Sequence, residues 1–413
     1  MPVELKSTTL DNGLTILAEI DPNAQSVGAG FFVKTGARDE STPLMGVSHF
    51  LEHMMFKGTN ELSAEQINQA FDDLGASNNA YTTRESTCFY AHVIPESAPK
   101  AIELLSKMMR PALRQDDFDT EKNVILEEIA MYADNPFWVL YEQCVANHYN
   151  SHGLGHRVLG TPESVSNMQR DQMLQYFEDR YSADNTIVAL AGNVDFDQSV
   201  ELIRDNCADW NTSNPSRLTS KPSTGHQAFT MSSDRVNRGY ILGLSDAPSV
   251  TSDDRYAAAL LAQVLGGADN SRLHWALIET GLAEEAMAAY DGLDGTGDYF
   301  IYASGDPDSL ENIWDVMLRE IRNLKDSLTE DDLAKLRAKM LTSVTLAGEK
   351  PAGRMQRLGR LYSACGKYQT LEEEIERINA VDIDAVKDLI DRFPLDSCTL
   401  GKMIPETQDA TAG

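Results

Sequence analysis

The segment His49-Phe50-Leu51-Glu52-His53 decides how this chain is read. Its two histidines stand four residues apart, and Glu52 lies three after the first. In a helix four residues turn about 400°, so both imidazoles leave one face, one turn apart. That placement suits two nitrogen ligands on a single Zn²⁺. Glu52 projects beside them, where it can hold a water at the metal. The order His-x-x-Glu-His inverts the commoner zinc-protease spelling and is itself a zinc peptidase signature. Leu44, Met45, Val47, Phe50, Leu51, Met54, Met55 and Phe56 surround it, and Gly58 is placed to stop a helix. Two histidines on an amphipathic surface helix need no metal. A helix that is apolar almost all round is different, because polar groups inside it require partners. The motif supplies two ligands, whereas a catalytic zinc takes a third from the protein and keeps one position open.

A second helix, predicted from Asp116 onward, carries Glu121, Glu127 and Glu128. Glu121 and Glu128 are seven apart and share a face to within about 20°. Val124, Ile125 and Ile129 are their apolar neighbours. Carboxylates against an apolar face are costly unless positive charge meets them. A metal with its histidines would supply that charge. A solvated acidic helix is the alternative.

With 413 residues, 42% of them hydrophobic, the chain is long enough for two or more domains. Its 64 acidic and 35 basic residues give a net charge of −29. Such a surface argues against nucleic acid and anionic membrane as partners. It fits basic peptides, or simple solubility. No run of about 18 apolar residues is present, so no membrane span is predicted. Met1 to Ile16 has neither a basic n-region nor an apolar h-region, so no signal peptide is expected. The five cysteines (Cys88, Cys144, Cys207, Cys365 and Cys398) are scattered and odd in number. They form neither a disulfide framework nor a CxxC site, and a cytoplasmic location is expected.

Outward from the motif, Asn12-Gly13 between two β-prone runs predicts a hairpin over 7–18. Residues 26–35 and 87–93 read as strands. Ser63 and Gln66 form a capping box that opens a helix running to Gly75. Ala76–Thr83 is polar and small. Residues 97–109 read as a helix, 139–181 as mostly helical, 186–191 as a strand and 197–208 as a helix. Residues 211–224 hold Pro215, Pro222 and many serines and threonines, and form the best linker in the chain.

The second half repeats this outline. Strand 240–244 leads to helix 253–265 and Gly266-Gly267. Helix 329–346 stands where 116–133 stands in the first half. Asp179-Arg180-Tyr181 before strand 186–191 is echoed by Asp391-Arg392-Phe393 before 397–400. The pattern predicts a duplicated α+β unit of about 200 residues, with domains at 1–210 and 225–413. His226 and His274 are the only histidines of the second half, so the chemistry is expected in the first.

These residues match a known family. The chain resembles the pitrilysin-like, or insulinase, family of zinc metallopeptidases, and among them the short two-domain members related to mitochondrial processing peptidase. The resemblance spans nearly the full length. It rests on Leu10–Leu14, Gly36–Glu40, Gly46–Thr59 and Glu121–Ile129. It implies two homologous α+β domains, each a mostly antiparallel sheet with helices on one face, arranged as a clam-shell. It implies one zinc held by His49, His53 and Glu128, with Glu52 as general base and Glu121 steadying a ligand. Asn79 and Ala80 match an edge strand that holds an extended peptide. Read alone, Asn79 is better explained as a turn residue.

One feature of the family is missing. Many active relatives carry an arginine and a tyrosine seven apart, after a Gly-Gly-x-x-Ser-Arg-Leu segment, that reach over the substrate carbonyl. The segment is matched by Gly266–Leu273, but the arginine position falls at Leu277 or Ile278 and the tyrosine position at Glu284. Tyr290 is the nearest substitute. The resemblance therefore implies a zinc-dependent endopeptidase acting on unfolded peptides in a closed chamber, as the zinc-bearing subunit of a dimer. Its expected partner is a homologous chain bearing the Arg/Tyr pair, with a homodimer as the fallback. The rival expectation is a non-catalytic peptide-binding or assembly subunit.

Overall fold

The computed structural model describes residues 3–217, 221–267 and 269–406. Residues 218–220 of the expected linker, and Ala268 of the Gly-Gly segment, lie outside them.

The Asn12-Gly13 turn forms as expected, with Gly13 at φ +90. It joins β1 (Glu4–Thr9) to β2 (Thr15–Ile20) as an antiparallel pair. β3 (Val27–Val33), β4 (Ser77–Thr82), β5 (Thr87–Val93) and β6 (Thr186–Gly192) complete a six-stranded sheet of order β1-β2-β6-β3-β5-β4. Only β2 and β6 run parallel. The central strands β3 and β6 are buried at every position, as strands covered on both faces should be.

The second sheet contains β7 (Ala228–Ser233), β8 (Gly239–Ala247), β9 (Ala283–Leu293), β10 (Thr296–Gly305) and β11 (Cys398–Pro405). Its order is β7-β11-β8-β10-β9, again with one parallel pair, β7 with β11. Without β1, the two sheets have the same strand order and the same parallel pair. The duplication expected from sequence is therefore present strand for strand.

The first half carries α1 (Val47–Met55), α2 (Ala64–Asp73), α3 (Ala98–Met108), α4 (Gln115–Tyr132), α5 (Pro136–Tyr149), α6 (Pro162–Asn167), α7 (Arg170–Arg180) and α8 (Phe196–Cys207). The second carries α9 (Arg255–Gly266), α10 (Leu310–Ser327), α11 (Glu330–Glu349), α12 (Pro351–Cys365), α13 (Leu371–Asn379) and α14 (Ile383–Arg392). Ser63 and Gln66 make the expected capping box on α2. Among the described residues no helix is long and apolar enough to cross a membrane.

The compact units depart from the contiguous division at 1–210 and 225–413 in two segments. Among the described residues, one unit comprises 3–129, 156–217 and 345–369, and the other 130–155, 221–344 and 370–406. The chain passes between them five times, not once. Each half lends the helix after its long acidic helix to the other's sheet. α12 lays Met355 and Leu358 against Leu17, Phe32, Cys88 and Ile187 of the first sheet. Its Gly359 sits where a Cβ would come within 2.2 Å of the Phe32 ring. Arg357 binds buried Glu19 of β2 at 2.6 Å. Likewise α5 lays Leu140, Cys144 and Val145 against Leu242, Leu244 and Met403 of the second sheet. The other helices build the main core of each unit on the opposite face. Apolar strand residues on both faces explain the exchange, since each sheet needs a second cover.

Candidate metal centre

Helix α1 is set by its N-terminus. Gly46 adopts φ +92, and a Cβ there would lie 2.6 Å from the Leu159 carbonyl oxygen. The Glu40 carboxylate then accepts the Gly46 N–H at 2.7 Å and the Ser48 N–H at 2.8 Å. The Ser48 hydroxyl also pairs with Tyr176 at 2.7 Å. Two orphan N–H groups of the helix start are thereby satisfied. Burial nevertheless pushes the Glu40 carboxyl up to about 8, against these two donors. A carboxyl raised on folding keeps its proton in the native state where the unfolded chain has lost it. Stability from this group is therefore full at acid pH and declines as pH rises from about 4.5 to about 8. Chemical denaturation of wild type and Glu40→Gln across that range checks this. The variant should lose part of the downward slope, and an unchanged slope refutes the assignment.

On the buried helix the two imidazoles meet edge to face one turn apart, with ring centroids 4.7 Å from each other. Helix α4 brings the Glu128 Oε2 to 3.9 Å from His49 Nε2 and 3.6 Å from His53 Nε2. One ligand atom from each of the three lies within 4.8 Å of the others. A zinc ion with bonds of 2.0–2.2 Å sets its ligands roughly 3.4 Å apart, so the three fit one ion with modest closing. Burial, then the neighbouring His53, lowers the His49 pKa to about 3; the neutral ring this enforces is the ligating form. The His49 Nδ1 is buried without a hydrogen-bond partner among the described residues.

Glu121 occupies the place expected for a supporting carboxylate. Its Oε1 lies 2.9 Å from His53 Nδ1, and its Oε2 lies 2.5 Å from Lys57 Nζ. An Nδ1–H held there directs Nε2 at the metal position. Burial alone would lower the His53 pKa, but the hydrogen bond and charge of Glu121 outweigh it and raise the pKa. Metal and proton compete for this ring, so affinity weakens in acid. Glu127 is exposed on α4, off the face that Glu121 and Glu128 share, and Val124 is exposed rather than packed.

Glu52 is buried beside the pair, and burial raises its pKa against a hydrogen bond from Thr82. The Thr82 hydroxyl donates to Oε2 at 2.6 Å. A cavity of about 330 Å³ opens here, lined by Glu52, His53, Phe56, Asn78, Asn79 and Glu121 among others. Asn79 and Ala80 lie on β4, which has an open edge in the sheet. The Ala80 N–H donates to the Asn79 side chain at 2.8 Å, which turns that N–H to the open edge and blunts it. Asn79 is thus a strand residue, not a turn residue.

Among the described residues of the second half, no arginine and tyrosine stand at the expected positions. Leu277 is buried in the core, and Glu284 pairs with Arg238 at 2.6 Å. Tyr290 donates its hydroxyl to the Pro248 carbonyl at 2.8 Å and is committed inside its own unit.

Three contributors escaped the sequence reading: Glu40, Lys57 and Thr82. Lys57 stands four residues after His53, a spacing that places it over the same helix face. Thr82 lies two residues after Ala80, on the same side of β4. Glu40 carries no local signal, because it acts through backbone N–H groups.

The family described as "Insulinase (Peptidase family M16)" matches residues 15–162, and "Peptidase M16 inactive domain" matches residues 167–340. The chain belongs to the insulinase family of peptidases. The insulinase-family relatives include the uncharacterized zinc protease YmxG of Bacillus subtilis (strain 168), 31% identical over 93% of this chain and 94% of that one. A second, the uncharacterized zinc protease ML0855 of Mycobacterium leprae, is 33% identical over 92% of this chain and 87% of that one. The fold is shared with a crystallised protease from Helicobacter pylori, with a TM-score of 0.92 at 20% identity over 98% of this chain and all of that one. It is also shared with a chain of complex III2 from Candida albicans, with a TM-score of 0.85 at 20% identity over 97% of this chain and 96% of that one. Zinc is the metal that the names of the insulinase-family sequence relatives point to.

Proposed function

We propose that this chain is a zinc-dependent endopeptidase that hydrolyses unfolded peptides in an enclosed chamber. The convergence of His49, His53 and Glu128 beside Glu52 carries the reading. One ion per chain is held by those three residues. Zinc bound there supplies Lewis-acid polarisation of the scissile carbonyl and a lowered water pKa. Glu52 removes a proton from water as the water oxygen bonds to the carbonyl carbon. It returns that proton to the amide nitrogen as the C–N bond breaks. Glu121, held by Lys57, keeps His53 in its ligating tautomer. The open edge at Asn79 and Ala80 takes the peptide as an added strand once the side-chain cap is displaced.

Leu277 and Glu284 leave the oxyanion without the expected tyrosine, a contribution worth about 3 kcal/mol in comparable sites. The chain is therefore proposed as the zinc-bearing subunit of a dimer, cytoplasmic, whose homologous partner brings the Arg/Tyr pair; a homodimer is the lesser alternative. The same two residues favour one rival, a peptide-binding assembly subunit without turnover. Cleavage of a mixed peptide pool, followed by mass spectrometry with and without chelator, separates them. Chelator-sensitive cleavage by the chain, alone or with its partner, supports the peptidase. Binding without cleavage in either form supports the rival. Replacing the ligand Glu128 by Gln should weaken zinc binding by more than about 100-fold, beyond what loss of an outer partner costs, as read by chelator competition.

A further inference from the structure

We propose that Thr82 is the positioning residue of Glu52, holding one carboxylate oxygen so that the other becomes the oxygen that takes the proton. The inference rests on the peptidase reading above and adds a residue to it. The Thr82 Oγ1 lies 2.6 Å from Glu52 Oε2 and 3.5 Å from Thr87 Oγ1. A hydroxyl has one proton to give. Thr87 gives its own proton to the Thr35 carbonyl at 2.9 Å, so it cannot donate to Thr82. The Thr82 proton goes to the nearer, charged acceptor, and such a charge-assisted bond is short and strong. Oε2 is thereby occupied. No donor among the described residues holds Oε1, which is the oxygen left for the proton of water.

The same hydroxyl ties the base to the peptide-binding edge. Thr82 closes β4, and its side chain shares a side with those of Asn78 and Ala80. Thr87 is fully buried on β5, directly opposite Thr82 in register. The hydroxyl is thus fixed by the sheet, not by the helix that carries Glu52. A peptide added to β4 stiffens the strand that orients the base, which couples binding to a correctly aimed carboxylate.

The test uses the zinc-loaded protein in the form in which it is purified, alone or with its partner. Steady-state kinetics on one cleaved peptide compare wild type, Thr82→Val and Thr82→Ser, with zinc content measured for each. Valine keeps the branched shape and loses the donor. It should lower kcat by about 10- to 100-fold, the scale of a misaimed catalytic group, with KM and zinc content unchanged. Serine keeps the donor and should restore kcat to within about 3-fold, well under the tenfold step of 1.4 kcal/mol. Unchanged kcat in the valine variant overturns the proposal. So does a rise in KM alone, a loss of zinc, or a serine variant as slow as the valine one. A zinc-bound wild type that cleaves nothing overturns the peptidase reading itself, and this inference with it.

Discussion

Glu52→Gln should leave zinc in place and lower kcat by about 10²–10⁴-fold, the range contributed by a positioned general base. The side chains are nearly the same size, and the amide oxygen can still accept the Thr82 hydroxyl that lies 2.6 Å from Oε2 in the wild type. His49, His53 and Glu128 are untouched, so metal content should stay that of wild type. What the amide cannot do is accept a proton from water. Metal analysis and kinetics on the same preparation decide the matter. Turnover close to wild type would remove Glu52 from the general-base role. Loss of zinc would make Glu52 a structural neighbour of the ligands.

A fragment spanning residues 1–217 should fail to fold. It contains every strand of the first sheet but lacks α12, which belongs to the same compact unit. Without α12, Leu17, Phe32, Cys88 and Ile187 lose their cover. Each large side chain of this kind returned to water costs about 1.5–3 kcal/mol. Glu19, only 3% exposed, also loses Arg357, and stripping the partner from a buried charge costs about 3–5 kcal/mol. Together these losses rival the about 5–15 kcal/mol by which a whole domain is stable. Fusing residues 345–369 to the fragment through a flexible linker should recover cooperative unfolding and near-ultraviolet dichroism. A soluble, cooperatively folded 1–217 fragment would show that the exchanged helix is dispensable.

The metal centre was legible because its signals are periodic. A four-residue step puts His49 and His53 together, and a seven-residue step puts Glu121 and Glu128 on one face; the structure shows both. The duplication was legible because strands and long helices recur in order. The rest depends on distance. β4 reads as polar and small, since Ser77, Asn78 and Asn79 have poor strand propensity; its strand state comes from pairing with β5. β9 and β10 are rich in Ala, Gly and Asp and carry no clean alternation. α12 opens on proline and contains Gly353 and Gly359, so its sequence reads as a broken segment. Its helix forms against β2, β3 and β6, more than a hundred residues away in sequence. No local pattern announces that a helix of one repeat will cover the sheet of the other.

The strand order has a consequence for how the chain is made. In each sheet the strand synthesised last lies in the interior: β6 between β2 and β3, and β11 between β7 and β8. A nascent chain emerging from the ribosome therefore carries β2 and β3 with a gap where β6 must go. Once β6 arrives, one face of that sheet still waits for α12. The second sheet stays open until Cys398–Pro405 has emerged. Neither unit is built from one contiguous, domain-sized piece of chain. Closure by distant segments is slow and leaves apolar strands exposed meanwhile. The completion of each sheet thus waits on a segment far along the chain from the strands it joins.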